Sequence, residues 1–261
     1  MPARMTESTP QTRAASYRLA VEDTDFLLRD EMRDIRFALE YAKCELGLRD
    51  WGIRSTVIVF GSARTASPEH PAPDPINLAR YQAARAFARI VSERGGALAP
   101  HHRWRDNVIA TGGSGGIMEA ANRGALEAGA PSIGYNIRLP HEQAPNAYST
   151  PELTFRFHYF AMRKMHMAMR ANALVVFPGG FGTMDELFEL LTLVQTGKMA
   201  RVPIILFEQA YWRRIISFDA LVAEGMIGPG ELALFEFADT PEMAWEALVR
   251  LGLKMAGPSD D

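Results

Sequence analysis

Residues 107–136 read NVIATGGSGGIMEAANRGALEAGAPSIGYN, and this stretch decides the fold class. A short β-branched run ends in a glycine turn, a helical pattern follows, and Gly129 ends that pattern before a second apolar run begins. A strand, a helix and a strand in this order are typical of a parallel crossover unit. The stretch therefore predicts one unit of a parallel α/β sheet.

The same alternation continues on both sides of this unit. Further strands are predicted in STVIVF, ELTFRF, ALVVF and VPIILF, and further helices in Asn77–Arg94, HYFAMRKMHMAMRAN, TMDELFELLTLVQTG and from about Trp212. A weak strand and a closing helix are predicted within Leu232–Leu253. Continuously apolar strands are typical of sheets covered on both faces. We therefore predict an α/β fold, a doubly wound parallel sheet with helices on both faces.

The two ends of the chain are predicted to differ from this sheet. Apolar residues recur at helical spacing from Asp23 to about Leu48, which indicates an amphipathic helix and hence an N-terminal helical extension. Residues 1–20 are expected to be mobile, 21–253 to form a single domain that includes the helix, and 254–261 to form a tail. The first residues lack the apolar region of a secretory signal.

The composition is that of an ordinary soluble globular protein, with 48% hydrophobic and 23% charged residues among 261. A net charge of −3 does not favour a nucleic-acid partner. No apolar run reaches membrane-spanning length, so no membrane partner is expected. The single cysteine, Cys44, excludes an internal disulfide and fits a reducing compartment, so a cytoplasmic location is expected.

Three strand-to-helix loops carry glycines or small residues: TGGSGG at 111–116, PGGFGT at 178–183, and FGSAR around Ser62. In a doubly wound sheet such loops lie at the carboxyl edge and can converge on one ligand. Glycine turns before helices favour a phosphate. Neither glycine turn matches the dinucleotide fingerprint or the P-loop. The pattern therefore favours a smaller phosphorylated molecule over NAD or ATP-driven phosphoryl transfer.

The helix in HYFAMRKMHMAMR, residues 158–170, carries two side-chain patterns. Arg163, His166 and Arg170 are predicted to share one face, and a guanidinium on that face suits a phosphate or a sugar hydroxyl. The methionines form another stripe, which we interpret as core packing; these are Met162, Met165 and Met169.

Two glutamates, Glu119 and Glu186, follow the two glycine turns. Glu186 stands three residues after Thr183, which is the spacing of a capping box, so it caps a helix, takes part in chemistry, or does both. The histidines show no convincing metal-ligand spacing, and no G-x-S-x-G elbow is present. We therefore predict a site without metal or cofactor that uses carboxylate and guanidinium groups.

The stretch PGGFGTMDE resembles the PGGxGTxxE signature of the Lonely Guy (LOG) family of nucleoside-5′-monophosphate phosphoribohydrolases. Met162-Arg163-Lys164 resembles the Arg-Lys element of that family. TGGSGGIMEAANRGA and FGSAR resemble its first glycine turn and its opening strand-loop, so the resemblance extends over about Ser55 to Phe207. The long N-terminal helix, the loop Pro68–Pro75 and the HHRWRD segment resemble the longer-chain branch of the family.

The resemblance implies a Rossmann-like sheet, release of the base from a nucleotide such as AMP or a cytokinin riboside monophosphate, and a homo-oligomer, dimer or larger. It implies catalytic roles for Arg163 and Glu186. It implies substrate binding by residues of the three loops and their neighbours: Ser62, Gly113, Ser114, Gly115, Glu119, Met162, Lys164, Gly179, Gly180, Gly182 and Thr183. The family is often labelled lysine decarboxylase, but the sequence holds no motif for pyridoxal phosphate.

Two other functions stay open. The first is a non-catalytic nucleotide-binding or sensing protein of the same fold, against which the presence of both Arg163 and Glu186 weighs. The second is a nucleic-acid-processing protein, which the acidic balance disfavours.

Overall fold

The structure is a computed structural model, and it describes residues 8–72, 74–139 and 144–255. The chain divides into two compact units, 1–43 and 44–261. The predicted mobile segment 1–20 and tail 254–261 lie partly outside the described residues, and the predicted single domain over 21–253 stays a prediction. Within the described part of the chain, no helix is long and apolar enough to cross a membrane.

The first unit holds short helices, not the continuous helix predicted from Asp23. Its elements are α1 Pro10–Arg13, a 3₁₀ turn Ala15–Tyr17, α2 Thr24–Leu27, a 3₁₀ turn Asp30–Met32 and the start of α3 Arg33–Asp50. Asp23 caps α2, because its Oδ1 accepts a hydrogen bond from the backbone N–H of Phe26 at 3.2 Å. Arg29 is extended, with φ −60° and ψ 151°, so the helical path is interrupted before α3. The prediction of one helix from Asp23 to Leu48 was wrong at its N-terminal end.

The second unit contains seven parallel strands in the order β4-β3-β2-β1-β5-β6-β7. They are β1 Thr56–Phe60, β2 Val108–Thr111, β3 Ser132–Ile137, β4 Thr154–Phe157, β5 Ala171–Val176, β6 Ile204–Phe207 and β7 Glu236–Ala238. The helices between them are α4 Pro75–Arg94, α5 Ile117–Glu127, α6 Phe160–Arg170, α7 Phe181–Gln195, α8 Gln209–Ile215, α9 Phe218–Ala223 and α10 Pro241–Arg250. The predicted parallel α/β sheet is confirmed.

The sheet is covered on both faces because successive strand residues point to opposite sides. In β1, Val57 and Val59 pack in a core with α4, α5 and α10. Ile58 and Phe60 pack in a second core with the C-terminal part of α3 and with α6, α7 and α8. Both cores contain fully buried aliphatic and aromatic side chains, which explains the continuously apolar strands.

The side chains of α6 are distributed differently from the predicted faces. His166 is fully buried beside Phe157, with ring centroids 5.8 Å apart, so it is not part of an exposed basic face. Arg170 makes two hydrogen bonds to Glu45, at 2.6 and 2.7 Å. Of the three arginine and histidine side chains predicted to share a face, Arg163 alone lines the cavity described below.

The predicted methionine stripe is only partly in the core. Met162 is partly buried and packs against it, whereas Met169 is 50% exposed. The buried methionine of α6 is Met167. The prediction of core packing was wrong for Met169, because the exposed and buried faces of α6 are rotated relative to the stripe.

The strand order places the three loops of interest side by side. The chain leaves β1, fills one half of the sheet through β2, β3 and β4, and then returns to β1 with β5. The carboxyl ends of β2, β1 and β5 are therefore neighbours at the topological switch point, which is where ligands bind in open α/β sheets.

Candidate functional site

Ser62 joins the three loops through its backbone. Its N–H donates to the carbonyl of Pro178 at 3.0 Å, and its carbonyl accepts from the N–H of Ile117 at 3.1 Å. The loop after β1 is thus hydrogen-bonded both to the PGGFGT turn and to the first residue of α5. The predicted convergence of the three loops is confirmed.

Gly116 makes the close approach of the first glycine turn possible. Its φ is +66°, and a Cβ at this position would lie 2.2 Å from the carbonyl oxygen of Ser62. Any other residue would be strained by its backbone and would also collide with the β1 loop. This glycine therefore serves the assembly of the turn and not only its flexibility.

A buried amide network, which the motifs did not indicate, fixes the same turn. Asn122 accepts a hydrogen bond from Thr111 Oγ1 at 2.7 Å and another from Asn146 Nδ2 at 2.9 Å. Asn146 also donates to the carbonyl of Ser114 at 3.1 Å, and its backbone N–H donates to the carbonyl of Gly113 at 2.9 Å. The turn is therefore held by α5 and by the segment before β4, so its backbone is preorganised.

A cavity of about 950 Å³ opens at this edge of the sheet. Seven of the predicted site residues line it: Ser62, Ser114, Arg163, Gly179, Gly180, Gly182 and Thr183. Part of its wall is apolar and is formed mainly by Phe181, Met184, Phe188, Ile215 and Ile216. Its size and mixed lining are those of a site for a small organic ligand.

Arg163 and Glu186 meet at the wall of this cavity. An Nη of Arg163 donates to Oε1 of Glu186 at 3.0 Å, and the Arg163 guanidinium lies 5.1 Å from the centre of the Phe160 ring. Arg163 lines the cavity. Glu186 is 1% exposed and does not line the cavity itself, but it is hydrogen-bonded to Arg163, which does. Among the described residues, Oε2 of Glu186 and Nε of Arg163 have no hydrogen-bond partner. Buried polar atoms without partners are rare and demand an explanation, of which a functional role is one.

Glu186 does not belong to a capping box. Helix α7 begins at Phe181 with Gly180 as its N-cap, and no side chain caps it. Because the glycine turn lets the chain enter the helix early, Thr183 is already the third helical residue and Glu186 the sixth. The capping interpretation was therefore wrong, and the side chain of Glu186 reaches across to α6 instead.

Burial raises the pKa of Glu186, because removal from water disfavours its charged form. The positive charges of Arg163 and Lys164 act in the opposite direction but do not outweigh burial. The structure thus keeps a carboxyl group in a low-dielectric setting with one cation beside it. A pKa raised in this way is common where a carboxyl group takes part in chemistry.

Six of the predicted site residues are not among the described residues that line the cavity. Glu186 is one, and Glu119 accepts a hydrogen bond from Tyr81 at 2.8 Å. Lys164 forms ion pairs with Asp185 at 2.8 Å and Glu189 at 3.2 Å, so its charge is compensated outside the cavity. The remaining three are Gly113, Gly115 and Met162.

Arg64 and Tyr211 are among the lining residues that the motif-based prediction missed. Arg64 follows Ser62 by two residues, and the FGSAR stretch contained it without marking it. Tyr211 donates from its hydroxyl to the carbonyl of Gly179 at 2.7 Å and so supports the second glycine turn. The sequence spacing between Tyr211 and Gly179 does not predict this contact. The two residues meet because β5 and β6, the strands that precede them, are neighbours in the sheet.

Within the described residues, no group of three or more His, Cys, Asp and Glu side chains is arranged to hold a metal ion. The metal-free and cofactor-free site stays a prediction.

A family model described as a possible lysine decarboxylase matches residues 118–248, which is half of the chain. The chain belongs to this family, the LOG family. The match includes α6, α7 and all of α5 after its first residue, and therefore Glu119, Arg163 and Glu186.

Curated LOG proteins from plants are similar to the chain over part of their length. A protein of Oryza sativa subsp. japonica named probable cytokinin riboside 5′-monophosphate phosphoribohydrolase LOG4 is 30% identical over 148 residues, 56% of this chain and 62% of that protein. Cytokinin riboside 5′-monophosphate phosphoribohydrolase LOG1 of Arabidopsis thaliana is 29% identical over 126 residues, 47% of this chain and 58% of that protein. The chain thus spans about three fifths of the length of these relatives.

The solved structure of a structural-genomics target named TM1055 has the same fold. It is 20% identical with a TM-score of 0.51, and the match covers 75% of this chain and 99% of that one. At this identity the likeness supports the Rossmann-like architecture of the LOG fold and nothing further.

Proposed function

We propose that the chain hydrolyses the N-glycosidic bond of a nucleoside 5′-monophosphate, AMP or a cytokinin riboside monophosphate, to free base and ribose 5-phosphate. The observation that carries this proposal is the pair of Arg163 and the buried Glu186 at the wall of a cavity bordered by two glycine turns. The names of the plant relatives agree with it, since those proteins are described as phosphoribohydrolases.

The phosphate would be bound at the carboxyl edge of the sheet. The N-terminus of α7 opens into the cavity through Gly180, Gly182 and Thr183, and backbone N–H groups at a helix start attract anions. Ser62 and Ser114 line the cavity from the two neighbouring loops. A nucleotide bound with its phosphate here would direct its ribose towards Arg163 and its base towards the apolar wall.

Cleavage of the bond between ribose C1′ and the base nitrogen develops positive charge on the ribose. The carboxylate of Glu186 would stabilise that charge and orient or deprotonate the attacking water, whose oxygen becomes the C1 hydroxyl of ribose 5-phosphate. Arg163 would bind the substrate. Its movement towards the ligand would uncover Oε2 of Glu186, which has no hydrogen-bond partner among the described residues, so that this oxygen could approach the ribose. The departing base leaves with the bonding electron pair and takes up a proton.

The direct test is base release from a panel of nucleoside 5′-monophosphates, separated by chromatography. The proposal predicts free base with at least one purine monophosphate and an equal amount of ribose 5-phosphate. Tight binding of these nucleotides without any base release would instead support the non-catalytic nucleotide-binding function.

Gly182→Ala separates the two roles of the second glycine turn. Gly182 lies in the first turn of α7 and an added Cβ would meet nothing within 4 Å, so the change should stabilise the helix by about 0.5–1 kcal/mol. Because Gly182 lines the cavity, the same methyl group should weaken AMP binding. Chemical denaturation and equilibrium binding measure the two effects. Gly230→Ala, which adds a methyl group in open space outside the cavity lining, is the control and should not change AMP binding.

We also propose that the chain forms a homo-oligomer, dimer or larger, through α6 or its neighbours. Met169 of α6 is 50% exposed beside a second cavity of about 590 Å³ that Met165, Leu193 and Met199 also line. Light scattering at micromolar concentration should show more than a monomer, and Met169→Lys should shift the population towards the monomer. Met226→Lys, at a methionine 68% exposed elsewhere, is the control. A monomeric wild-type protein would contradict the proposal.

The cytoplasmic location expected from the sequence stays a prediction.

A further inference from the structure

Arg64 lines the cavity but has no role in the proposed hydrolysis. It is exposed, and its side chain makes no hydrogen bond or ion pair with another residue within 8–72, 74–139 and 144–255. A guanidinium held at a cavity rim without a protein partner is available to a ligand.

The charges around the cavity are uneven. Its described lining contains two cationic side chains, Arg64 and Arg163, and no acidic one. Arg163 already donates to Glu186, and Lys164 is paired with two carboxylates outside the cavity. Within the described lining, Arg64 is therefore the cation without a carboxylate partner, and its charge suits an anion.

The backbone of Arg64 is fixed at the point where the two glycine turns meet. Its N–H donates to Oγ of Ser62 at 3.1 Å, and Ser62 is the residue that joins Pro178 and Ile117. The following residue, Thr65, is buried. Arg64 therefore lines the same cavity as Gly180, Gly182 and Thr183, where the phosphate is proposed to bind.

We propose that Arg64 determines the specificity of the site for phosphorylated substrates. Its guanidinium binds the 5′-phosphate and thereby favours nucleoside 5′-monophosphates over nucleosides. The inference rests on the proposed function, since it concerns the same cavity. Because the phosphate is remote from the bond that breaks, Arg64 binds ground state and transition state alike, and its loss should raise KM more than it lowers kcat.

The test compares the binding of AMP, ribose 5-phosphate and adenosine by calorimetry in the wild type, Arg64→Ala and Arg64→Lys. Loss of a charge-assisted hydrogen bond should weaken AMP and ribose 5-phosphate binding by about 10- to 100-fold in Arg64→Ala. Adenosine binding should change less than about twofold on the same reasoning. Arg64→Lys should lie between, because it keeps the charge but loses the planar fork.

Arg49→Ala is the matched control. Arg49 is exposed at the end of α3, before β1 and so at the opposite edge of the sheet, and its loss changes the net charge equally. It should bind all three compounds as the wild type does. Wild-type affinity for ribose 5-phosphate in Arg64→Ala would overturn the proposal, and so would an equal loss of adenosine affinity.

Binding and turnover keep this proposal separate from the proposed function. If the wild type binds AMP and ribose 5-phosphate but releases no base, the hydrolase function fails while the affinities still decide the role of Arg64. If the wild type binds neither phosphorylated compound, both proposals are overturned.

Discussion

Glu186→Gln should leave the protein folded and lower kcat for AMP hydrolysis by about 10²- to 10⁴-fold, the usual contribution of a general acid or base. Gln keeps the shape of the side chain and can still accept the hydrogen bond from Arg163. It carries no charge, however, so it neither stabilises a cationic ribose nor takes a proton from water. The rate is measured as base release under saturating AMP.

Glu246→Gln is the matched control, because Glu246 is exposed on α10 and the substitution is chemically identical. It should hydrolyse AMP at the wild-type rate. If Glu186→Gln also retained that rate, the catalytic role of Glu186 would be wrong.

The raised pKa of Glu186 predicts a pH dependence of stability. Below the unfolded-state pKa the carboxyl of Glu186 is protonated in both the folded and the unfolded state, and its contribution to the free energy of unfolding is fully present. This contribution is lost as the pH rises through the higher pKa of the folded state. Glu186→Gln has no proton to lose, so its stability relative to the wild type should increase over this window. Thermal unfolding between pH 4 and 8 would measure it. A relative stability that falls with rising pH would contradict the stated direction.

Gly116→Ala should destabilise the protein by about 3 kcal/mol, which combines left-handed strain of about 1–2 kcal/mol with the cost of overpacking. The new Cβ would stand 2.2 Å from the carbonyl oxygen of Ser62, which also accepts the N–H of Ile117 at 3.1 Å. Relief of this clash would separate the β1 loop from the glycine turn, so activity should be lost as well. Denaturant-induced unfolding measures the change in free energy.

Gly129→Ala separates the cost of backbone strain from the cost of the clash in Gly116→Ala. Gly129 also has a positive φ, +78°, but a Cβ there would meet nothing within 4 Å. It should therefore cost only the strain of about 1–2 kcal/mol and keep the site intact. Equal destabilisation by the two substitutions would show that contact with Ser62 does not matter.

The sheet was predictable because its signals are local and repeated. Apolar β-branched runs alternate with helical patterns, and the glycines at 95, 116 and 129 stand at helix ends in both the sequence and the structure. The convergence of the three loops followed from the same pattern, since all parallel strands end at one edge. The N-terminal helix was misjudged because extended Arg29 breaks a pattern that is otherwise helical.

The site was predictable only where its residues belong to a motif. Spacing suggested a capping box for Glu186, but the helix starts at Phe181, and only the fold shows that the carboxylate meets Arg163 across two helices. Tyr211 and Asn146 reach the turns through strand neighbours and long-range hydrogen bonds. Such contacts depend on strand order, which the sequence pattern does not specify.

The most direct test of the central claim is product analysis after turnover of AMP in ¹⁸O-labelled water. Attack of water on ribose C1′ predicts equal amounts of adenine and ribose 5-phosphate, with the label in the C1 hydroxyl when the product is trapped by reduction before exchange. Labelled inorganic phosphate with intact adenosine, or bound AMP that yields no product, would contradict hydrolysis of the N-glycosidic bond at this site.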